Sequence, residues 1–469
     1  MPDKREMILQ DNLWTLMVKM SLPGIAGMLL IAFNAFADAL YVGRFVGADA
    51  LAGVSMSIPL MVLNTALLNL IAAGANSLLS RSIGSGNKAI QEQLFVHVLL
   101  LSTGVALLLM IPGLFFAAPL IALTGASGNI LHYGTQYYTI SQAGCFFSIF
   151  GLVSSGLIRA EGNIKRAMLI SLSGVMINLL LNPFFIVWLH MGVEGSALAT
   201  VVSMFFYCLL TTQYFLSGKS VVRIRINRNI LRYNIFKDIL AVGLSAMLMQ
   251  LSGFIRQLFL FKAVVRYGTD AQVALFAAIY RLFSFSIIPV FGFLQALQPI
   301  VGINYGAEQY RRSVKAPGVF LSGCIGLMLL IALPSFLFPV NILGLLVPGI
   351  APGASGILHF RMVLMVLLIA PVSSVSVVYL QATGNAKWSA WLAGGREMLL
   401  FLPLVVLLPY FYGDAGVYYT LVAENVLYMF IVLSVLRYYM KNMPMLQSPA
   451  NSSAFPFRFF HLFNRKSGK

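Results

Sequence analysis

Charge is what this chain has least of. Only 10% of its 469 residues are Asp, Glu, Lys or Arg, where soluble domains carry about 25%, and 59% are apolar. That balance excludes a water-soluble enzyme, a coiled coil and a disordered chain. Acids are the scarcer sign, 14 against 31 basic residues. Cysteine is scarce as well. Cys145, Cys208 and Cys324 lie in apolar stretches with neither disulfide nor metal-ligand spacing, so they read as small core residues. Catalytic signatures are missing: there is no G-x-S-x-G and no H-E-x-x-H, and Ser85-Gly-Asn-Lys88 lacks the rest of a phosphate loop. An ATPase or a membrane hydrolase is therefore not expected, nor a bound cofactor. The apolar runs are continuous rather than ten-residue alternations, which excludes an outer-membrane barrel.

What is present is a series of segments long enough to cross a bilayer, each needing about 20 apolar residues. Twelve spans are predicted: 14–40, 51–80, 93–119, 130–158, 166–190, 195–217, 237–266, 271–302, 315–343, 355–383, 388–412 and 416–440. The fold class is thus an all-α polytopic membrane protein. With the N-terminus in the cytoplasm, inner segments hold 23 basic residues and outer loops only Arg44 and Arg266. That asymmetry is the positive-inside pattern, and it accounts for the net charge of +17 without nucleic acid. Met1–Asn12 is polar and the first apolar stretch is too long for a removable signal peptide. A multi-pass protein of the bacterial inner membrane with both termini cytoplasmic is expected, working as a monomer.

The chain repeats itself at a shift of 222 residues. Arg159-Ala-Glu-Gly-Asn-Ile-Lys165 recurs as Gln381-Ala-Thr-Gly-Asn-Ala-Lys387, and Ser80–Gly86 falls on Gly302–Glu308. Six spans per half leave the two halves in the same orientation. The predicted division is an N-lobe at 1–217, a basic cytoplasmic linker at 218–236, a C-lobe at 237–440 and a cytoplasmic tail at 441–469. Two pseudo-symmetric six-helix lobes around a central cavity make a transporter plan, with alternating access about a midplane site. Gly84, Gly162, Gly195, Gly306, Gly384 and Gly416 read as helix caps or tight turns. The Phe-rich tail around Arg458 is either a segment lying on the inner leaflet or a disordered one.

An ionised group at the bilayer centre costs at least about 2.5–3.5 kcal/mol, so intramembrane acids mark functional or tightly paired positions. Away from the cytoplasmic boundary, three acids lie within spans: Asp38, Glu397 and Glu424. Asp38 is the sharpest candidate, with Asn34 one turn before it on the same helical face. Apolar surroundings favour the neutral form of a carboxyl and a nearby cation favours the charged form, so such a group can exchange a proton for sodium or a cationic compound. In the fifth span Asn178 and Asn182 share a face, and Thr200 follows in the sixth. The asparagines serve either as ligands or as interhelical hydrogen-bonding glue. Candidate cavity residues are Tyr41, Gln250, Arg256, Gln257, Tyr280, Arg281, Gln295, Gln298 and Glu397. The neighbours Arg396 and Glu397 point about 100° apart on a helix, so Glu397 is expected to meet an arginine of another span.

The chain resembles the multidrug and toxic compound extrusion (MATE) family. The likeness is carried by Pro23 with Asp38-Ala-Leu-Tyr-Val-Gly-Arg44 and Gly47, Arg159-Ala-Glu-Gly-Asn163, Gly192–Thr200, Gln298–Ala307 and Gln381-Ala-Thr-Gly-Asn385, and it spans residues 13 to 440. It implies efflux of bulky, often cationic organic compounds, driven by inward sodium or proton flow. It also implies that oxygens of Asn178, Asn182 and Thr200 surround Asp38, with sodium a possible occupant. Many relatives carry a second aspartate where this chain has Asn182. A lone carboxylate suits a proton carrier as well as a sodium site. The alternative is a flippase for lipid-linked saccharides, built on the same superfamily plan. Intramembrane arginines would suit its pyrophosphate headgroup.

Overall fold

A computed structural model describes residues 4–222, 231–346 and 353–441. The linker arginines Arg223, Arg225 and Arg228, and the aromatic tail, lie outside the described residues. Every regular element described is helical. The first half runs α1 (Lys4–Gln10), α2 (Leu13–Phe45), α3 (Ala48–Ser85), α4 (Lys88–Phe115), α5 (Ala117–Ala122), α6 (Gly128–Ala143), α7 (Cys145–Ala160), α8 (Ile164–Pro183) and α9 (Gly192–Leu216). The second runs α10 (Tyr233–Tyr267), α11 (Asp270–Gly306), α12 (Tyr310–Leu337), α13 (Pro339–Leu346), α14 (Ala354–Ala382), α15 (Ala386–Gly395), α16 (Leu402–Tyr412) and α17 (Ala415–Lys441).

Eleven helical spans are long and apolar enough to cross a membrane, and a twelfth is broken. The expected fourth span is the pair α6 and α7, bent by 56°. The bend falls at Gly144, where a Cβ would lie 2.6 Å from the side chain of Val201 on α9. The helices also outrun their apolar stretches. Caps set two of these ends: Asn12 accepts the Trp14 N–H at the start of α2, and a left-handed Gly86 closes α3.

Of the six glycines expected at turns, Gly162 and Gly384 sit there with positive φ (81° and 78°). Gly84 and Gly306 do not: both are helical residues in the last turns of α3 and α11, where the two helices cross. A Cβ on Gly84 would stand 2.1 Å from the Ile303 carbonyl oxygen, and one on Gly306 would stand 2.1 Å from that of Arg81. Gly195 and Gly416 are likewise helical and tightly packed, Gly416 against the Leu408 carbonyl. These positions require glycine because backbones touch there. Gly84 and Gly306 are partners under the 222-residue repeat and meet each other, so the pseudo-two-fold axis passes between them.

The same backbone contact continues along the lobe boundary. Gly74 of α3 faces the Ile239 carbonyl of α10, Gly243 of α10 faces that of Leu70, and Gly24 of α2 faces Gly292 of α11. All these contacts lie in the halves of the helices nearest α1. On that side α1 bridges both lobes. Arg5 donates to the carbonyls of Ile83 and Gly84 at 2.9 Å, while Asn304 and Arg312 donate to the Ile8 carbonyl at 3.4 and 3.1 Å. Ile8 is fully buried beside Gly162. Farther from α1, the same helix faces carry exposed residues: Ile31, Leu63, Gln257 and Arg281. The lobes therefore meet on the α1 side, and the cleft between them opens on the other.

Between α7 and α8, outside the spans, Glu161 is buried and accepts from Tyr214 at 2.8 Å and from Ser220. Burial pushes its carboxyl above the ordinary range, although the Ser220 and Tyr214 hydrogen bonds oppose the shift.

Candidate functional site

About four turns separate Asp38 from Gly24 on α2, which puts it near the lobe-facing side, at the edge of the cleft. Its two oxygens are held separately. Asn34 Nδ2 donates to Oδ2 at 3.2 Å, and Asn182 Nδ2 donates to Oδ1 at 2.5 Å. Asn182 also donates to Asn178 Oδ1 at 3.0 Å. Asn178 donates to Thr200 Oγ1 at 3.4 Å, and Thr200 donates to the Ser196 carbonyl at 3.2 Å. The i, i+4 spacing of Asn178 and Asn182 stacks both amides on the face of α8 that meets α2. Asn182 and Asn178 are almost completely buried. Two oxygens in this cluster, Asn34 Oδ1 and Asn182 Oδ1, are buried without a hydrogen-bond partner. Buried acceptors of this kind are costly unless something donates to them or binds them. A proton on the carboxyl, or a hard cation that prefers oxygen donors, suits such a set.

The C-lobe holds a different arrangement. Arg256 pairs with Glu397 and, at 3.4 Å, with Glu424, while Arg396 pairs with Glu424 and donates to Asn425 Oδ1 at 3.0 Å. The network has two cations and two anions. Arg396 and Glu397 each find partners on other helices, as their angular separation requires, and both lie in a widened π-turn over Arg396–Phe401. Arg256 also lies 5.3 Å from the Phe401 ring, and Arg396 4.7 Å from that of Tyr428. Glu424→Ala is expected to leave Arg396 without a carboxylate and to cost about 3–5 kcal/mol, the range for breaking a buried pair. A fall in melting temperature in detergent, larger than that of Asp38→Asn, checks it.

Comparison with known proteins fits this architecture. The family model described as MatE matches the chain twice, over residues 23–184 and 243–407. This chain belongs to the MatE family. It is a MATE-family transporter of the MOP superfamily and not an enzyme. Two solved structures resemble it over nearly its whole length. A MATE transporter in the bent conformation superposes with TM-score 0.87 at 26% identity, covering 93% of this chain and 98% of that one. An outward-facing multidrug resistance MATE family transporter gives TM-score 0.85 at 26% identity, with 92% and 97% covered. Among curated proteins, the multidrug export protein MepA of Staphylococcus aureus is 24% identical over 417 residues, covering 87% of this chain and 90% of its own length. MepA of Staphylococcus haemolyticus is 24% identical over 436 residues, with 91% and 94% covered.

In this MATE transporter the five residues expected at the coupling site, Asp38, Asn34, Asn178, Asn182 and Thr200, lie in one connected cluster. The residues expected in the cavity divide. Gln257 and Arg281 are exposed on the cleft faces. Gln250, Gln295 and Gln298 lie at the closed floor, meeting Asn69, Met28 Sδ and the Ala73 carbonyl across the lobe boundary. Arg256 and Glu397 belong to the ion network inside the C-lobe, and Tyr280 to a ring cluster with Phe261, Phe276 and Phe283. Burying charge inside a lobe requires a counter-charge, which the four-residue network provides and the cleft does not. Tyr41 is half-buried and stacks on Phe45 at 6.0 Å. Sequence reasoning missed Tyr137 of α6, a half-buried phenol within electrostatic reach of Asp38. Among the described residues, no group of three or more His, Cys, Asp or Glu side chains is arranged to hold a metal. Any cation held at Asp38 would rely on amide and hydroxyl oxygens.

Proposed function

We propose that this transporter is a cation-coupled antiporter that exports bulky organic compounds, cationic ones included, by alternating access. The observation that carries the reading is the Asp38 cluster, one carboxylate at the cleft's edge beside two unpartnered buried amide oxygens. A proton or sodium entering from the open side neutralises Asp38. That removes its attraction for a bound cation and favours release of the compound into the open cleft. The curated relatives are named multidrug export proteins, which supports the same substrate breadth. The flippase reading needs several arginines facing the cavity, and the pairing of Arg256 and Arg396 inside the C-lobe favours the antiporter. The test is efflux of ethidium from proteoliposomes with proton and sodium gradients imposed separately. Acceleration by either gradient supports the reading, and efflux indifferent to both contradicts it.

The division into lobes at 1–217 and 237–440 is supported by the internal repeat and the twofold family match, and the excess of basic residues in the inner segments supports a cytoplasmic closed side and cytoplasmic termini in a bacterial inner membrane. Lys88 opens α4 on the α1 side and is exposed, and the three cysteines are buried. Lys88→Cys is expected to resist a membrane-impermeant maleimide in intact cells and to react after lysis. Labelling in intact cells would reverse the orientation.

A further inference from the structure

On the α1 side, the first turns of α2 and α12 meet at a groove of about 690 Å3 that the coupling site does not use. Arg311, Arg312 and Lys315 line it, and no carboxylate does. Arg312 is engaged by the backbone carbonyls of Ile8 and Asp11. Arg311 and Lys315 are exposed, four apart on one face, and neither makes an ion pair among the described residues. No side chain caps α12, so its N-terminal partial positive charge adds to theirs. The same face continues down α12 as Gly318 and Ser322, small residues that leave a channel leading towards the apolar part of the span. Across the groove Trp14 is exposed at the top of α2, with Val18 and Leu22 exposed below it at one-turn intervals. Cations and an indole at the interface, above a channel flanked by apolar side chains, match an amphiphile: a phosphate above, an acyl chain below.

We propose that this groove binds the phosphate-bearing headgroup of an anionic phospholipid, with its acyl chain lying along Gly318, Ser322 and Val18. The free cations Arg311 and Lys315 hold the phosphate. Arg312 ties the groove to α1, which bridges the lobes, so an occupied groove favours the state closed on the α1 side.

Native mass spectrometry of the detergent-purified full chain, with phosphatidylglycerol or phosphatidylcholine added, tests this. Wild type is expected to retain phosphatidylglycerol in preference to phosphatidylcholine. The double variant Arg311→Gln, Lys315→Gln should weaken that retention about tenfold or more. In the wild type alone, retention should fall as ionic strength rises. That arm holds even if the variant folds poorly. Equal retention of the two lipids, salt-independent binding, or a well-folded double variant that keeps the wild-type preference would overturn the proposal. Displacement of the lipid by equimolar inorganic phosphate would also overturn it, by assigning the groove to free phosphate.

Discussion

Replacing Asp38 by asparagine is expected to abolish gradient-driven efflux while leaving compound binding measurable. The substitution keeps the shape and removes the exchangeable charge, and both hydrogen bonds survive once Asn34 turns its amide over to offer its unpartnered Oδ1 to the new NH2 group. Coupling free energies between ligands correspond to affinity ratios of roughly 5–150-fold, and all of that linkage is lost if the ion has no group to titrate or to neutralise. Accumulation of ethidium under an imposed gradient should therefore fall about a hundredfold, with ethidium affinity in detergent changed far less. Asn182→Asp acts in the opposite sense. Asn182 Nδ2 lies 2.5 Å from Asp38, so the new carboxylate would repel it unless a proton or cation sits between them. That variant should gain dependence on sodium, or work at higher pH if protons couple. Wild-type transport by Asp38→Asn under both gradients would move the coupling site elsewhere, with Glu397 and Glu424 next to be tested.

The second large effect concerns the closed floor of the cleft. A Cβ at Gly243 would lie 1.6 Å from the Leu70 carbonyl oxygen, a backbone atom that cannot swing aside. Gly243→Ala should force α10 away from α3 and penalise the state with the α1 side closed. Overpacking costs about 1–3 kcal/mol in ordinary cores, enough to shift a two-state equilibrium about 5- to 160-fold. Gly253, in the same helix with nothing near its Cβ position, is the control: Gly253→Ala should be neutral or slightly stabilising. Spin labels at Asp49 and Asp270, the open-side ends of α3 and α11, should report a shorter separation in Gly243→Ala than in wild type. An unchanged distance distribution would show that the glycine contact does not hold the lobes.

Much of the coupling cluster was legible because helical spacing is arithmetic. Asn34 with Asp38, and Asn178 with Asn182, are each one turn apart, so each pair had to share a face. That α2 and α8 would turn those faces towards each other came from family resemblance, not from spacing. Tyr137 was illegible because one of three tyrosines among the polar residues of His132–Gln142 carries no pattern that separates a site residue from packing. Gly84 and Gly306 were misread because a glycine in sequence looks the same whether it serves a positive φ or a close helix crossing. The bridging role of α1 was hidden for another reason. Its seven residues are too few for a periodic signal, and its bonds to the C-lobe end on backbone carbonyls, which every residue has. Glu397 was expected to find an arginine on another span, but only the fold could name Arg256.

Proton release on ligand binding tests the role of Asp38 most directly. Sodium, or a permanently cationic compound, is added to purified protein in a mildly acidic, weakly buffered solution, and released protons are counted with a pH-sensitive dye. Wild type should release up to about one proton per chain as the added cation takes over the carboxylate, and Asp38→Asn should release none. Equal release from the two proteins would contradict the assignment of the coupling ion to Asp38.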